Sequence, residues 1–310
     1  MNTSGQAVYV NAKSITVLTS LSVAYLLLTW YLLGFKSDQI VFVAIVNSLF
    51  YISTGTRKFI LGFSIFAVYW ILFDYMKALP NYMVNKVSIA GLYNFEKSLF
   101  GIHYNGKLIT ANEYWLINQH RWMDIVGGLF YLCWIPVPLG FATYLFFTRK
   151  MEFLYFALTF FTVNLLGFVV YYSFPAAAPW YVQEHGFNFI AHTPGGIGGL
   201  ARFDQIFHTD VFKGIYKKGS NVFAAMPSLH SAYPIIVVYY GFKNRLGWAN
   251  LFLVTVMLGI WFTAVYASHH YIVDVLAGIV CAITGITLFN FIAGLKPIAA
   301  LLNKYEKIIT

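Results

Sequence analysis

In the stretch YASHHYIVD, residues 266 to 274, two adjacent histidines, His269 and His270, stand at the mouth of an apolar run, and Asp274 follows the second by four residues. In a helix, residues four apart are rotated by about 400° and share a face, whereas residues five apart lie about 140° off it. Asp274 is thus placed to orient His270, and His269 should point elsewhere. A carboxylate on one ring nitrogen fixes the tautomer, bares the other nitrogen and stabilises the cation formed after attack. That is what a histidine nucleophile needs. The same spacing also fits a buried polar pair that knits two helices together, although ionisable groups at membrane depth are costly and favour a functional role.

A second cluster, AAMPSLHSAYP at residues 224 to 234, holds Pro227, Ser228 and His230. Proline suits a first helical turn, and free N–H groups at a helix start, with the Ser228 hydroxyl, make an anion site. His230 would stand one turn in. Two histidines, one with a carboxylate partner and one beside an anion site, suit phosphoryl transfer: one attacks phosphorus and the other protonates the leaving oxygen.

The elements that must hold these groups are membrane helices. Of the 310 residues, 59% are hydrophobic, 20% aromatic and only 10% charged, which excludes an ordinary soluble domain. The apolar runs are continuous, not alternating, so an all-α polytopic bundle is predicted over a barrel. Spans are expected at about 15–35, 38–54, 58–79, 122–147, 152–174, 227–243, 247–267 and 271–295, each near the roughly 20 residues that a bilayer requires. Residues 1–14 are polar, carry Lys13 and lead into an apolar run with no small-residue cleavage site, which reads as a retained helix. Cys133 and Cys281 fall inside predicted spans, so no disulfide framework is expected. The formal charge of +9 is spread over short loops and forms no block for nucleic acid. Orientation and attraction to anionic lipid are its better uses.

With a cytoplasmic N-terminus, Lys13, Arg57 with Lys58, Arg149 with Lys150, Lys243 with Arg245, and Lys296, Lys304 and Lys307 all fall inside. The connections at about 80–121 and 175–226 and the 267–271 turn then face outside. His103, His120, His185, His192, His208, His230, His269 and His270 all lie in or beside those outside segments. Long polar loops account for the first five; His230, His269 and His270 sit at helix mouths.

Pro227-Ser228-Leu229-His230, followed by His270-x-x-x-Asp274, resembles the second and third signature motifs of the type 2 phosphatidic acid phosphatase (PAP2) superfamily. Leu229 replaces the usual glycine, Ala264 stands where an arginine six before the nucleophile is usual, and the Lys-x6-Arg-Pro motif is absent. These differences remove phosphate-binding cations and fit the inositol phosphorylceramide synthase branch better. FPAAAPWYVQEHG (174–186), GGLARFDQIFHTD (198–210), MPSLHSAYP and HHYIVD look like segments of that branch, over about residues 120–295.

The resemblance implies a six-helix core, with about two extra transmembrane helices in residues 1–57, a catalytic membrane domain at 58–295 and a cytoplasmic tail at 296–310. It implies His270 as nucleophile, Asp274 as its orienting partner and His230 as general acid and then base. Arg202 is the expected phosphate ligand, its planar fork matching phosphate oxygens, unless it is a surface arginine paired with Asp204. Ser228 and Leu229 belong to the same phosphate region. Asp204, His185, Trp180 and Tyr181 either contact an inositol ring or shape the pocket. Arg121 and His120 read as an interfacial anchor, and 85–101 as an amphipathic interfacial helix near the substrate entrance.

The implied reaction moves phosphoinositol from phosphatidylinositol to ceramide or dihydroceramide, releasing diacylglycerol through a phosphohistidine, with no metal, cofactor or nucleotide. The site would face the periplasm of a bacterium or the Golgi lumen of a eukaryote. The nearest alternative is a lipid phosphate phosphatase with water as acceptor. A metal oxidase would need several histidine-rich boxes, and a lipid-transport bundle would show inverted repeats, which are not found.

Overall fold

Proline and glycine punctuate apolar stretches that otherwise close every backbone hydrogen bond within themselves, and the helices follow that punctuation. The computed structural model describes residues 12–217, 219 and 221–310. Three helices open the described chain: α1 (Ala12–Leu33), α2 (Ser37–Ile52) and α3 (Thr54–Tyr75). The connection after α3 contains a 3-10 turn (Asn81–Met83), α4 (Ala90–Phe100), a hairpin of β1 (Ile102–Tyr104) and β2 (Lys107–Ile109), and α5 (Ala111–Ile117). Asn105 and Gly106 turn that hairpin with φ of 49° and 74°, the left-handed pair that a tight two-residue turn requires.

Next come α6 (Arg121–Leu132), α7 (Pro136–Thr148) and α8 (Lys150–Ser173). The second connection holds α9 (Pro179–His185), a 3-10 turn (Gly198–Leu200), α10 (Ala201–Phe207) and α11 (Val211–Lys217). The chain closes with α12 (Leu229–Lys243), α13 (Ala249–Tyr266), α14 (Ile272–Ala293) and α15 (Lys296–Ile309).

Among the described residues, six helical stretches are long and apolar enough to cross a membrane: Ala12–Leu33, Thr54–Tyr75, Arg121–Thr148, Lys150–Ser173, Ala249–Tyr266 and Ile272–Ala293. The protein is therefore an all-α, multi-pass membrane protein. Two of the eight expected spans come out short, α2 with 16 residues and α12 with 15. At 1.5 Å per residue neither reaches roughly 30 Å of hydrocarbon alone. α12 packs against α7, α8, α13 and α14.

Three other expectations change in detail. The span expected at 122–147 is broken at residues 133–135, because Pro136 and Pro138 cannot continue the ladder of α6. The expected helix at 85–101 begins only at Ala90; Ser88 instead joins Ala176 in a parallel bridge, which Ala176 extends to Ala224. The segment expected as a tail, 296–310, is largely the helix α15, which packs along α3 and α8. Tyr305 of α15 donates from its hydroxyl to the Leu61 carbonyl at 2.6 Å.

An aromatic core fills the space between α3, α7, α8 and α12. Phe160 lies between Phe66, with ring centroids 5.5 Å apart, and Tyr233, 4.5 Å away. This core carries α12, and with it His230, against α14.

Candidate active site

The two histidines forty residues apart in sequence meet. His230 Nδ1 lies 3.1 Å from His270 Nε2. His270 Nδ1 lies 3.0 Å from the carbonyl oxygen of Ala225. A carbonyl only accepts, so His270 carries its proton on Nδ1 when neutral and its Nε2 is bare. That Nε2 must then accept from Nδ1–H of His230. The tautomers are thus dictated by one backbone carbonyl, and the nitrogen facing His230 is the one free to attack phosphorus.

Asp274 stands one step further off than expected. Its Oδ2 is 3.7 Å from His270 Nδ1, beyond hydrogen-bond reach, and accepts instead from the backbone N–H of Tyr271 at 2.8 Å. Its Oδ1 is buried with no hydrogen-bond partner among the described residues. Asp274 is 0% exposed, so its charge acts on the His270 ring with little screening by water.

The turn that presents His270 is built from outside its own helix. The N–H groups of His269 and His270 both donate to the Ala264 carbonyl, at 3.0 and 2.9 Å. The Asn112 amide donates to the His270 carbonyl at 2.9 Å and to the Val265 carbonyl at 2.8 Å, clamping the turn to the end of α13. The Glu96 carboxylate accepts from the Ile272 and Val273 N–H groups at 3.1 and 3.0 Å, capping α14 from α4. Burial raises the Glu96 carboxyl above its ordinary value, against the opposing pull of those two N–H donors.

Spacing did not reveal Asn112. Glu96 carried a signal: it lies four residues after Leu92, on the face that the structure buries.

His269 points away, as its spacing predicted. Its Nε2–H donates to the Ile197 carbonyl at 2.9 Å, and the ring stacks on Tyr131 and Tyr216 with centroids 5.4 and 4.6 Å away. Burial pushes its imidazole down from 6.5 to about 3.

The segment around His230 differs from expectation in one respect. Pro227 precedes the N-cap and does not enter the first turn; its carbonyl accepts from the Tyr171 hydroxyl at 3.1 Å. Ser228 is the N-cap. Its oxygen accepts from Ser231 Oγ at 3.0 Å and Ser231 N at 3.3 Å, while its own N–H donates to the Asp274 carbonyl at 2.9 Å. The hydroxyl thus faces the helix, and the backbone stitches α12 to α14. Leu229 packs against Gly167 of α8, where an added Cβ would come within 2.8 Å of a Leu229 methyl. Trp134, at the break between α6 and α7, meets the His230 ring edge-on at 4.5 Å. Pro234 removes the N–H that would have bonded the His230 carbonyl, loosening the first turn of α12.

Arg202 pairs with Asp124 and not with Asp204: its Nε donates to Asp124 Oδ1 at 2.6 Å. The Tyr266 hydroxyl donates to the same oxygen at 2.8 Å, and the guanidinium lies 5.1 Å from the Tyr266 ring centroid. Its Nη2 is buried with no hydrogen-bond partner among the described residues. Gly199 lets this guanidinium lie against Ala267, three residues before His270: a Cβ there would sit 2.8 Å from Nη1 and 2.9 Å from the Ala267 Cα.

Asp204 spends its carboxylate on α11, accepting from the Phe212 and Lys213 N–H groups at 3.2 and 3.0 Å. The Tyr181 hydroxyl donates to the Asn188 carbonyl at 2.7 Å and accepts from the Ile190 N–H at 2.9 Å. Both side chains thus spend their polar atoms on neighbouring backbone. The Trp180 backbone N–H donates to the Ser268 carbonyl at 2.9 Å, the indole ring fills the place a side chain at Gly196 would take, and His185 packs on Tyr181 at 4.9 Å. The His120 backbone N–H donates to the Tyr266 hydroxyl at 3.3 Å, and Arg121 is exposed at the start of α6.

Helices long enough to span a bilayer surround two imidazoles that face each other where α12 meets the turn before α14, an arrangement chemically able to carry a transferred group. A sequence profile of the PAP2 superfamily matches residues 102–288, more than half of the chain, and the protein belongs to that superfamily. It is 43% identical over 297 residues to a phosphoinositol dihydroceramide synthase of Bacteroides thetaiotaomicron, across 95% of this chain and 96% of that protein. It is 32% identical over 180 residues to an inositol phosphorylceramide synthase of Candida albicans, across 53% of this chain and 36% of the fungal protein. A 25% match over 237 residues, covering 74% of this chain, links it to the catalytic subunit of inositol phosphorylceramide synthase of Schizosaccharomyces pombe. No solved structure matches the chain.

Proposed function

We propose that the protein is a sphingolipid synthase that transfers phosphoinositol from phosphatidylinositol to ceramide or dihydroceramide and releases diacylglycerol. The observation that carries this reading is the pair of imidazole nitrogens, His230 Nδ1 and His270 Nε2, in a chain similar along nearly its whole length to a phosphoinositol dihydroceramide synthase.

His270 Nε2 attacks phosphorus, the bond to the diacylglycerol oxygen breaks, and the proton on His230 Nδ1 passes to that oxygen. His270 then holds phosphoinositol, and Asp274 offsets the positive charge left on its ring. His230, now bare at Nδ1, takes the proton of the acceptor's primary hydroxyl, whose oxygen displaces His270 from phosphorus. One phosphodiester is exchanged for another, so the two halves balance. Arg202 is proposed to meet a phosphoryl oxygen with its unpartnered Nη2 while Asp124 holds its other edge. A guanidinium already shared with a carboxylate suits a phosphodiester monoanion better than a terminal phosphate dianion, which favours transfer over plain phosphatase chemistry.

The site is proposed to open on the non-cytoplasmic side. In support, basic residues of the opposite loops gather at one end of the bundle: Lys58 Nζ donates to the Thr310 carbonyl at 2.6 Å, Arg149 to the Asn244 carbonyl at 3.0 Å, and Lys243 pairs with Glu152 at 3.0 Å.

The test is purified protein in detergent with phosphatidylinositol labelled in its headgroup, with and without ceramide, following labelled lipid and released water-soluble phosphate. Ceramide-dependent labelled sphingolipid, lost in His270→Ala, is expected. Soluble inositol phosphate released equally with and without ceramide would make water the acceptor and overturn the reading.

A further inference from the structure

An apolar cavity of about 450 Å³ lies between α3 and the faces of α7, α8 and α12, and His230 is part of its lining. Its longest wall is α3, which lines it from Phe59 to Phe73. The fourteen rises of 1.5 Å between residues 59 and 73 make that wall roughly 21 Å long. The break between α6 and α7 opens the facing wall, where Trp134 and Leu139 line it. Ala67, half-buried, is the small residue midway along the α3 wall.

Two measures of this space agree on one kind of occupant. If a methylene takes a liquid volume similar to the ~30 Å³ share of a water, the cavity holds about fifteen. Fifteen methylenes in a zigzag of ~1.5 Å bonds extend roughly 19 Å, close to the length of the α3 wall. The space therefore matches one long hydrocarbon chain, and its volume falls in the roughly 300–1,000 Å³ range of ligand sites.

We propose that this cavity binds one hydrocarbon chain of the lipid alcohol whose oxygen meets His230, and that the α3 wall sets the chain length accepted. The inference rests on the transfer reaction above. In an in-line displacement at His270, the entering oxygen takes the position that the leaving oxygen vacated, so both lipid alcohols bring a chain to the same cavity in turn. α3 lies outside the residues matched by the superfamily profile, which start at 102.

Transfer is measured to ceramides with N-acyl chains of eight and sixteen carbons, in wild type and in Ala67→Phe, with Leu139→Phe as a second filling variant from the facing wall. The ratio of long-chain to short-chain kcat/KM is expected to fall at least tenfold while the short-chain value holds. An equal effect on both lengths in both variants would overturn the proposal.

The second measurement does not depend on turnover. Ceramide or diacylglycerol carrying a diazirine near the chain end is photolysed on the wild-type protein and on Ala67→Phe, and the labelled residues are mapped. Labelling of the inward Phe63 and Phe66 by both probes, lost in Ala67→Phe, is expected; labelling by one probe alone would overturn the shared use of the cavity. Labelling confined to outward residues such as Val68 would overturn the cavity assignment. Inward labelling in a protein that transfers nothing would instead overturn the transfer reading and leave the chain site standing.

Discussion

His230 Nδ1 and His270 Nε2 lie 3.1 Å apart, in direct hydrogen-bond contact. Attack from one side of phosphorus and protonation of the oxygen on the other need roughly 6–7 Å between the two nitrogens. The pair must therefore part by about 3 Å during transfer. His270 is held by Ala225 and Asn112, whereas His230 is only partly buried, borders the apolar cavity and sits on a turn that Pro234 has loosened. His230 is the member expected to move.

This division of labour separates the two histidines kinetically. His270→Ala should abolish transfer and the covalent intermediate. His230→Ala should lower transfer by about 10²–10⁴, the usual range for a lost general acid. A donor with an acidic leaving alcohol needs no protonation and should restore formation of the intermediate in His230→Ala alone. Rapid quenching without ceramide, reading acid-labile, alkali-stable label on the protein, checks both; label persisting in His270→Ala would refute the assignment.

Asn112 holds the turn and touches no reacting atom. Asn112→Asp keeps the shape but removes the amide donor, leaving the His270 and Val265 carbonyls without it at a cost of about 1–3 kcal/mol in stability. Positioning predicts a fall in kcat of about tenfold or more with lipid KM nearly unchanged. A matching loss of folded protein without a change in kcat per folded molecule would leave Asn112 a purely structural clamp.

Arg202→Lys tests recognition of phosphate by a planar fork. Lysine retains the charge opposite Asp124 but cannot hold Asp124 and a phosphoryl oxygen with separate nitrogens in fixed geometry. A loss of about 10–100-fold in kcat/KM for the donor is expected, read from initial rates at varied phosphatidylinositol. Full activity in Arg202→Lys would show that only charge matters there.

His269 links the site to acid stability. Its imidazole is neutral in the fold, held down at about 3 against 6.5. The unfolded chain takes up the proton first as pH falls, so stability is retained above about 6.5 and lost between there and about 3, at up to about 1.4 kcal/mol per pH unit. His269→Gln keeps an N–H for the Ile197 carbonyl and cannot titrate. The slope of unfolding free energy against pH in detergent should then flatten by one proton between pH 6 and 4; an unchanged slope would place the titration elsewhere.

What was legible in the sequence was local. Apolar continuity marked eight stretches, six of which are long and apolar enough to span among the described residues, since a bilayer leaves the backbone no partner but itself. The spacing of His270 and Asp274, and the motif around His230, singled out the residues now proposed as reactive, although His270 lies in the turn before α14 and not on the helix itself. The spacing placed Asp274 on the correct face, yet could not show that the Ala225 carbonyl would hold Nδ1 in its place.

The tertiary structure decided everything that crosses between elements. The bonds of Asn112 to His270 and of Glu96 to α14 span 158 and at least 176 positions, and no local pattern encodes such pairings. The fate of Arg202 was likewise non-local: Asp204 stood two residues away, but the partner is Asp124 on α6, seventy-eight positions earlier. The cavity was the least legible feature. In a chain with 59% hydrophobic residues, a helix face turned to lipid and one turned to a cavity use the same side chains, so periodicity cannot tell them apart and only packing can.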